Sequence, residues 1–178
     1  KLSQAIGNFY NSVTKNIANQ KNFDMNWDDT EKEHIDCDSS CQDCLRSFSN
    51  RRVHNSLDWR LALDLAEISL GKTLNTNRWF SHSEKIAKTF FNLFENQKKY
   101  EPKMNKFGNF YIVKSNKKII ILNHPLYSVT EGLYNEEQKK VIKEVRSFYY
   151  EEDLPIDFVD MRKVYRRPQF YIKDLQND

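Results

Sequence analysis

The chain has 178 residues, 28 Lys and Arg against 25 Asp and Glu, and a formal net charge of +3, too small an excess to name a partner by itself. That length allows one domain or two small ones, and 12 Phe, 9 Tyr and 3 Trp are core material that an intrinsically disordered chain lacks. No apolar run approaches the roughly 18 residues needed to cross a bilayer, so no membrane role is expected, and only four glycines argue against a Gly-rich nucleotide-binding architecture.

The chain opens on Lys1-Leu2, with no initiator Met and no apolar leader segment; it reads as a fragment or processed piece of a longer chain, expected to be cytoplasmic. Leu2, Ile6, Phe9, Val13 and Ile17 recur every three or four residues and predict an amphipathic helix over 2–20. Residues 24–36 are acidic and turn-rich, and three cysteines follow among Asp and Ser. Residues 56–70 carry the clearest helical pattern, with Ser56 as N-cap, Gly71 as stop, and Leu57, Leu61, Leu65 and Ile68 on the inner face, widened by Leu63 and Leu70. Gly71–Asn77 is polar and marks a boundary. It separates residues 1–77, with 9 basic and 11 acidic side chains, from residues 78–178, with 19 and 14.

In the second part, Ile86, Phe90, Leu93 and Phe94 predict a helix from about Ser83 to Lys98. Phe110–Val113 and Ile119–Leu122 are β-branched and aromatic runs joined by Lys114–Lys118, the pattern of a hairpin. A helix is expected over about 135–149 and a third strand at Ile156–Asp160, with Pro168 closing the unit or lying on an edge strand. The expected fold class is α+β: a mostly helical zinc-knuckle module at 1–77, then a helix-and-sheet extension at 78–178.

Cys37, Cys41 and Cys44 stand in the spacing C-x3-C-x2-C. Three thiolates within eight residues can converge on one ion, and tetrahedral zinc takes such ligands at about 2.3 Å. An odd cysteine count without a secretory leader argues against a disulfide framework; redox-reactive thiols are a weaker alternative. The same spacing holds the iron–sulfur cluster of radical-SAM enzymes. Those have an aromatic residue before the last cysteine, where this chain has Asp43, and need more strand and glycine than follows here. The fourth zinc ligand is left open among His34, His54, Asp36, Asp38 and a cysteine upstream of Lys1.

The stretch Cys37-Asp38-Ser39-Ser40-Cys41-Gln42-Asp43-Cys44-Leu45-Arg46-Ser47-Phe48-Ser49-Asn50, followed by His54-Asn55-Ser56-Leu57-Asp58 and a helix containing Leu61-Ala62, resembles the MrfA-type zinc-binding domain of superfamily-two DExH helicases. With the preceding amphipathic pattern, the resemblance covers about residues 1–70. It implies zinc held by four cysteines, three of which match Cys37, Cys41 and Cys44; the fourth of the family, normally upstream, has no counterpart here. It further implies an accessory C-terminal module of an ATP-dependent helicase, with the motor domains of the same protein and DNA as partners, in DNA repair or phage defence. The chain holds neither a G-x-x-x-x-G-K-[ST] loop nor an Asp-Glu-x-His box, so the module would not be the motor. A zinc-stabilised protein-interaction subunit of a defence or repair complex is the alternative.

Arg46, Arg51 and Arg52 flank the knuckle and are candidate phosphate contacts; the plainer reading pairs them with Asp36, Asp38, Asp43 and Asp58. Arg166 and Arg167, with Arg162, Lys163, Tyr165, Phe170 and Tyr171, form a basic-aromatic run able to bind single strands if it lies on a strand; the plainer reading is a charged edge strand. His124, before Pro125, is expected to make a structural hydrogen bond. Asp157 and Asp160 are three apart and would face opposite sides of a strand, which argues against a metal-dependent nuclease site.

Overall fold

The computed structural model describes residues 4, 11, 39–40, 45–95 and 98–176, and the chain divides into two units, Lys1–Asn75 and Thr76–Asp178. The helix predicted over 2–20 lies outside the described residues except for Gln4 and Asn11, both helical and exposed. Among the described residues no helix is long and apolar enough to cross a membrane.

In the first unit a 3-10 segment, Phe48–Ser56, kinked at Asn50 with φ -106 and ψ 16, leads into helix α1, Trp59–Ser69. The start of α1 corrects the sequence reading. Asp58 is the N-cap, its carboxylate accepting the Arg60 and Leu61 backbone N–H groups at 3.0 and 3.4 Å, because a short acidic side chain satisfies first-turn donors and suits the positive end of the helix dipole. Gly71 stops it in the left-handed region at φ +75. Gly71 N–H bonds to Ile68 O and Lys72 N–H to Glu67 O, both at 2.9 Å, the paired bonds of a Schellman end.

The inner face of α1 agrees with the predicted one at Leu63 and differs at Leu65 and Ile68. Trp59, Leu63 and Ala66 are buried together with Arg60, Asp64 and Glu67, whereas Leu65 and Ile68 are about half exposed. Apolar residues lie all round this helix, so periodicity alone selects no face. The buried indole of Trp59 lies beneath the Arg60 guanidinium at 4.6 Å.

The second unit is built on helix α2, Asn77–Glu95. It starts six residues earlier than predicted because Trp79, Phe80, Ser83, Ile86, Ala87, Phe90 and Phe94 form one continuous buried stripe; Leu93 is half exposed. Strands β1 (Lys103–Phe107), β2 (Phe110–Lys114), β3 (Ile119–Asn123) and β4 (Ile156–Asp160) form one sheet in the order β1-β2-β3-β4. The first three are antiparallel neighbours, and β4 runs parallel to β3. That last pairing needs a crossover, supplied by helix α3, Glu136–Phe148.

Strand β1 was not foreseen. Its residues Lys103-Met104-Asn105-Lys106-Phe107 lack apolar alternation, since it is an edge strand with exposed lysines, a common guard against further pairing. The usable signal was Gly108-Asn109, the two-residue turn that joins it to β2, with Gly108 at φ +56.

Register aligns Asn105, Ile112, Ile121 and Phe158 across the sheet. On this face Asn105 donates to the Tyr149 hydroxyl at 2.5 Å, and Tyr134 packs edge-on against Phe158. Tyr111, of opposite parity, meets Glu84 of α2. Helices α4 (Met161–Arg166) and α5 (Pro168–Gln176) pack with α2. The core comprises Phe90, Phe94, Ile112, Val113, Ile119–Leu122, Val145, Met161 and Val164, all at most 2% exposed.

Residues 161–176 correct the reading of the basic-aromatic run as a strand. Met161 and Val164, three apart, are both buried, a helical spacing. Asp160 caps α4 by accepting Arg162 N–H at 2.8 Å. Pro168 begins α5, where its fixed φ and missing N–H carry no penalty.

Candidate metal centre and nucleic-acid interface

Cys37, Cys41 and Cys44 lie outside the described residues, as do His34, Asp36, Asp38 and Asp43. What is described is the backbone on either side of Cys41 and Cys44. Ser39 O accepts Trp59 N–H at 2.8 Å, tying the upstream side to the first turn of α1. Ser40 is buried, and its hydroxyl accepts from Arg46 Nε at 3.0 Å. Leu45 O, just after Cys44, accepts Asn50 Nδ2–H at 2.8 Å.

Asn50 is the hub of this region. Its Oδ1 accepts the Ser47 backbone N–H at 2.8 Å and stands 2.8 Å from His54 Nε2. His54 Nε2 is also 2.9 Å from Ser47 O. Both neighbours of Nε2 are acceptors, so that nitrogen carries the proton and donates. His54 could therefore ligate a metal only through Nδ1. The sequence contains Asn50 and His54 at a spacing of four, but their joint role was not read from it; Ser-x-x-Asn before a helix was the available signal.

The described residues that flank the C-x3-C-x2-C segment are hydrogen-bonded at Ser39, Ser40 and Leu45. Among the described residues, no group of three or more His, Cys, Asp and Glu side chains is placed to hold a metal ion.

The candidate arginines have different surroundings. Arg46 is half-buried and holds Ser40. Arg51 and Arg52 are exposed, and neither has an ion pair among the described residues. The Arg51 guanidinium lies 4.3 Å above the ring of Phe48, which is 83% exposed. In the other unit Arg166 is half-buried, and Arg167 is an exposed residue at the end of α4 with its N–H on Lys163 O at 2.9 Å. Phe170 is exposed and Tyr165 and Tyr171 are half-buried. These residues occupy two successive helices, so the alternating strand face proposed for them does not exist.

His124 is buried at the end of β3, with Trp79, Phe80 and Tyr127 around its ring. Its Nδ1 accepts Leu126 N–H at 3.1 Å, the structural bond expected of it. Burial, and then the charge of Arg78, push its pKa down to about 4, so the ring is neutral at pH 7. Asp157 pairs with Lys118 at 2.8 Å. Asp160 caps α4, and burial raises its pKa. The two carboxylates serve separate structural ends on opposite parities of β4. Next to them, Gln138 of α3 joins Asn123 Oδ1 and Ser128 O at 3.3 and 2.7 Å, and Asn135 completes a reciprocal capping box with it. This fully buried amide fastens the loop after β3 to the crossover helix.

Set against models of known protein families, curated proteins and solved structures, the chain finds no match in any of the three.

Proposed function

We propose that this chain is an accessory, zinc-stabilised C-terminal module of an ATP-dependent DNA helicase, one that supports the motor domains and contacts DNA in repair or phage defence. Cys37, Cys41 and Cys44 would hold the ion with a fourth donor. Bound there, zinc contributes folding free energy to a segment too short to bury a core of its own. The observation that carries the reading is the network around that segment. Asn50 and His54 brace its downstream side through Leu45 and Ser47, and Trp59 and Arg46 brace the Ser39-Ser40 side. This leaves Arg51 and Arg52 on a supported turn where they can meet phosphates.

The test is elemental analysis and thermal melting of the purified chain and of its Cys41→Ser/Cys44→Ser variant. About one zinc per chain, lost together with several degrees of Tm in the variant, is the expected result. Unchanged metal content and Tm would remove the basis of the proposal, and iron with visible colour would replace it by cluster chemistry. A second reading, a zinc-stabilised protein-interaction subunit, is favoured by one feature of the other unit: Phe148, packed edge-on against Phe107, and Tyr150 both stand exposed. Binding to a protein partner that is insensitive to salt, with no DNA affinity, would select it.

A further inference from the structure

We propose that the 3-10 helix Phe48–Ser56 is a stacking platform for single-stranded DNA, on which the ring of Phe48 takes an unpaired base and Arg51 and Arg52 take the adjoining phosphates. The inference rests on the DNA-contacting reading above and names the form of DNA that is gripped. A 3-10 helix has three residues per turn, so positions i and i+3 lie one above the other. In this segment the chain kinks at Asn50, at φ -106 and ψ 16, and Arg51 still lies over Phe48, with the guanidinium carbon 4.3 Å from the ring centroid. The ring is nonetheless 83% exposed, so Arg51 shields little of it and the rest of its surface is open to a base.

A phenylalanine left this exposed loses the burial that ordinarily places it in a core. Its helix is held from the other side. Asn50 and His54, both half-buried, turn back onto Leu45 and Ser47, while Phe48, Arg51 and Arg52 are the exposed members of the same turns. These bonds tie the turn to its flank before any ligand arrives, and each such tie lowers the entropy lost on binding. Among the described residues neither guanidinium has an ion pair, and both are exposed to solvent.

An apolar ring flanked by two cations matches a polyanion that carries exposed π-faces, which is the recurring chemistry of single-strand binding. A duplex hides its base faces in its own stack and can use only the arginines, as nonspecific phosphate contacts do.

The experiment is fluorescence anisotropy on the full chain with three labelled probes of similar charge: an oligothymidylate of about 20 nucleotides, an abasic strand of the same length, and a duplex of matched phosphate count. The expected order is oligothymidylate tightest, with Phe48→Ala weakening it about 10-fold, the other two probes changed less than 2-fold, and Phe48→Trp restoring the difference. Because Phe48 is exposed, the variants should melt with the parent, and that melt is the folding control. Equal affinity for all three probes, unaltered by Phe48→Ala, would overturn the stacking inference while leaving DNA contact standing. Absence of salt-sensitive binding to any probe would overturn the DNA-contacting reading itself.

Discussion

Acidification should destabilise the fold through His124 before most carboxylates titrate. The ring is 1% exposed and its folded pKa is about 4 against an ordinary 6.5. The unfolded chain therefore binds the proton first. The stability owed to the neutral ring is complete above the unfolded pKa and is lost as pH falls towards the folded one. The gap from 6.5 to about 4 is worth about 3 kcal/mol when fully expressed, of which about 2 kcal/mol falls between pH 7 and pH 5.

With an m-value of about 2 kcal/mol/M, that loss lowers the urea midpoint by about 1 M. The assay is urea unfolding followed by circular dichroism at pH 7, 6 and 5, for the parent and for His124→Asn. Asparagine retains an oxygen to accept Leu126 N–H and has no proton to gain in this range. Carboxylates contribute equally to both proteins, so the difference between their pH slopes isolates the imidazole. The same slope in parent and variant, or a folded-state proton resonance of His124 titrating near 6.5, would refute the reasoning.

Asn50→Ala removes an acceptor from Ser47 N–H and His54 Nε2–H and a donor to Leu45 O; it should cost about 1–3 kcal/mol and speed hydrogen exchange at Ser47, with an unchanged exchange rate counting against the hub. Phe94→Ala empties a site that is 0% exposed and stacked with Tyr100 at 5.9 Å; it should cost about 3–5 kcal/mol, measured by urea unfolding, and a loss under 1 kcal/mol would mean this end of α2 is not packed as described.

The elements of the second unit were legible wherever a local pattern had one meaning. Ile119–Leu122 is an unbroken β-branched and apolar run, and such a run suits a strand covered on both faces. Ile156–Asp160 was found with its bounds intact, and the helix expected over 135–149 was placed within a residue at each end. The α2 start was missed because Trp79 and Phe80 lie seven and six residues before Ile86 and were not counted with the chosen stripe. At the candidate site, the cysteines and arginines stood out by residue type. The roles of Asn50 and His54 did not, since a polar residue announces its partners only when the chain has turned.

The amino-acid sequence by itself determined that this is an α+β chain with a hairpin in its second part, and it singled out the cysteine triplet and the flanking arginines. Those follow from short-range rules, namely periodicity, turn chemistry and ligand spacing. Tertiary structure alone decided that β4 runs parallel to β3, that Arg162–Tyr171 is helical, and that α1 turns Trp59 inward and Leu65 outward. It also decided that His124 is held neutral by burial near Arg78. Each of these turns on free energies of burial and pairing between residues distant in sequence, which no local window contains.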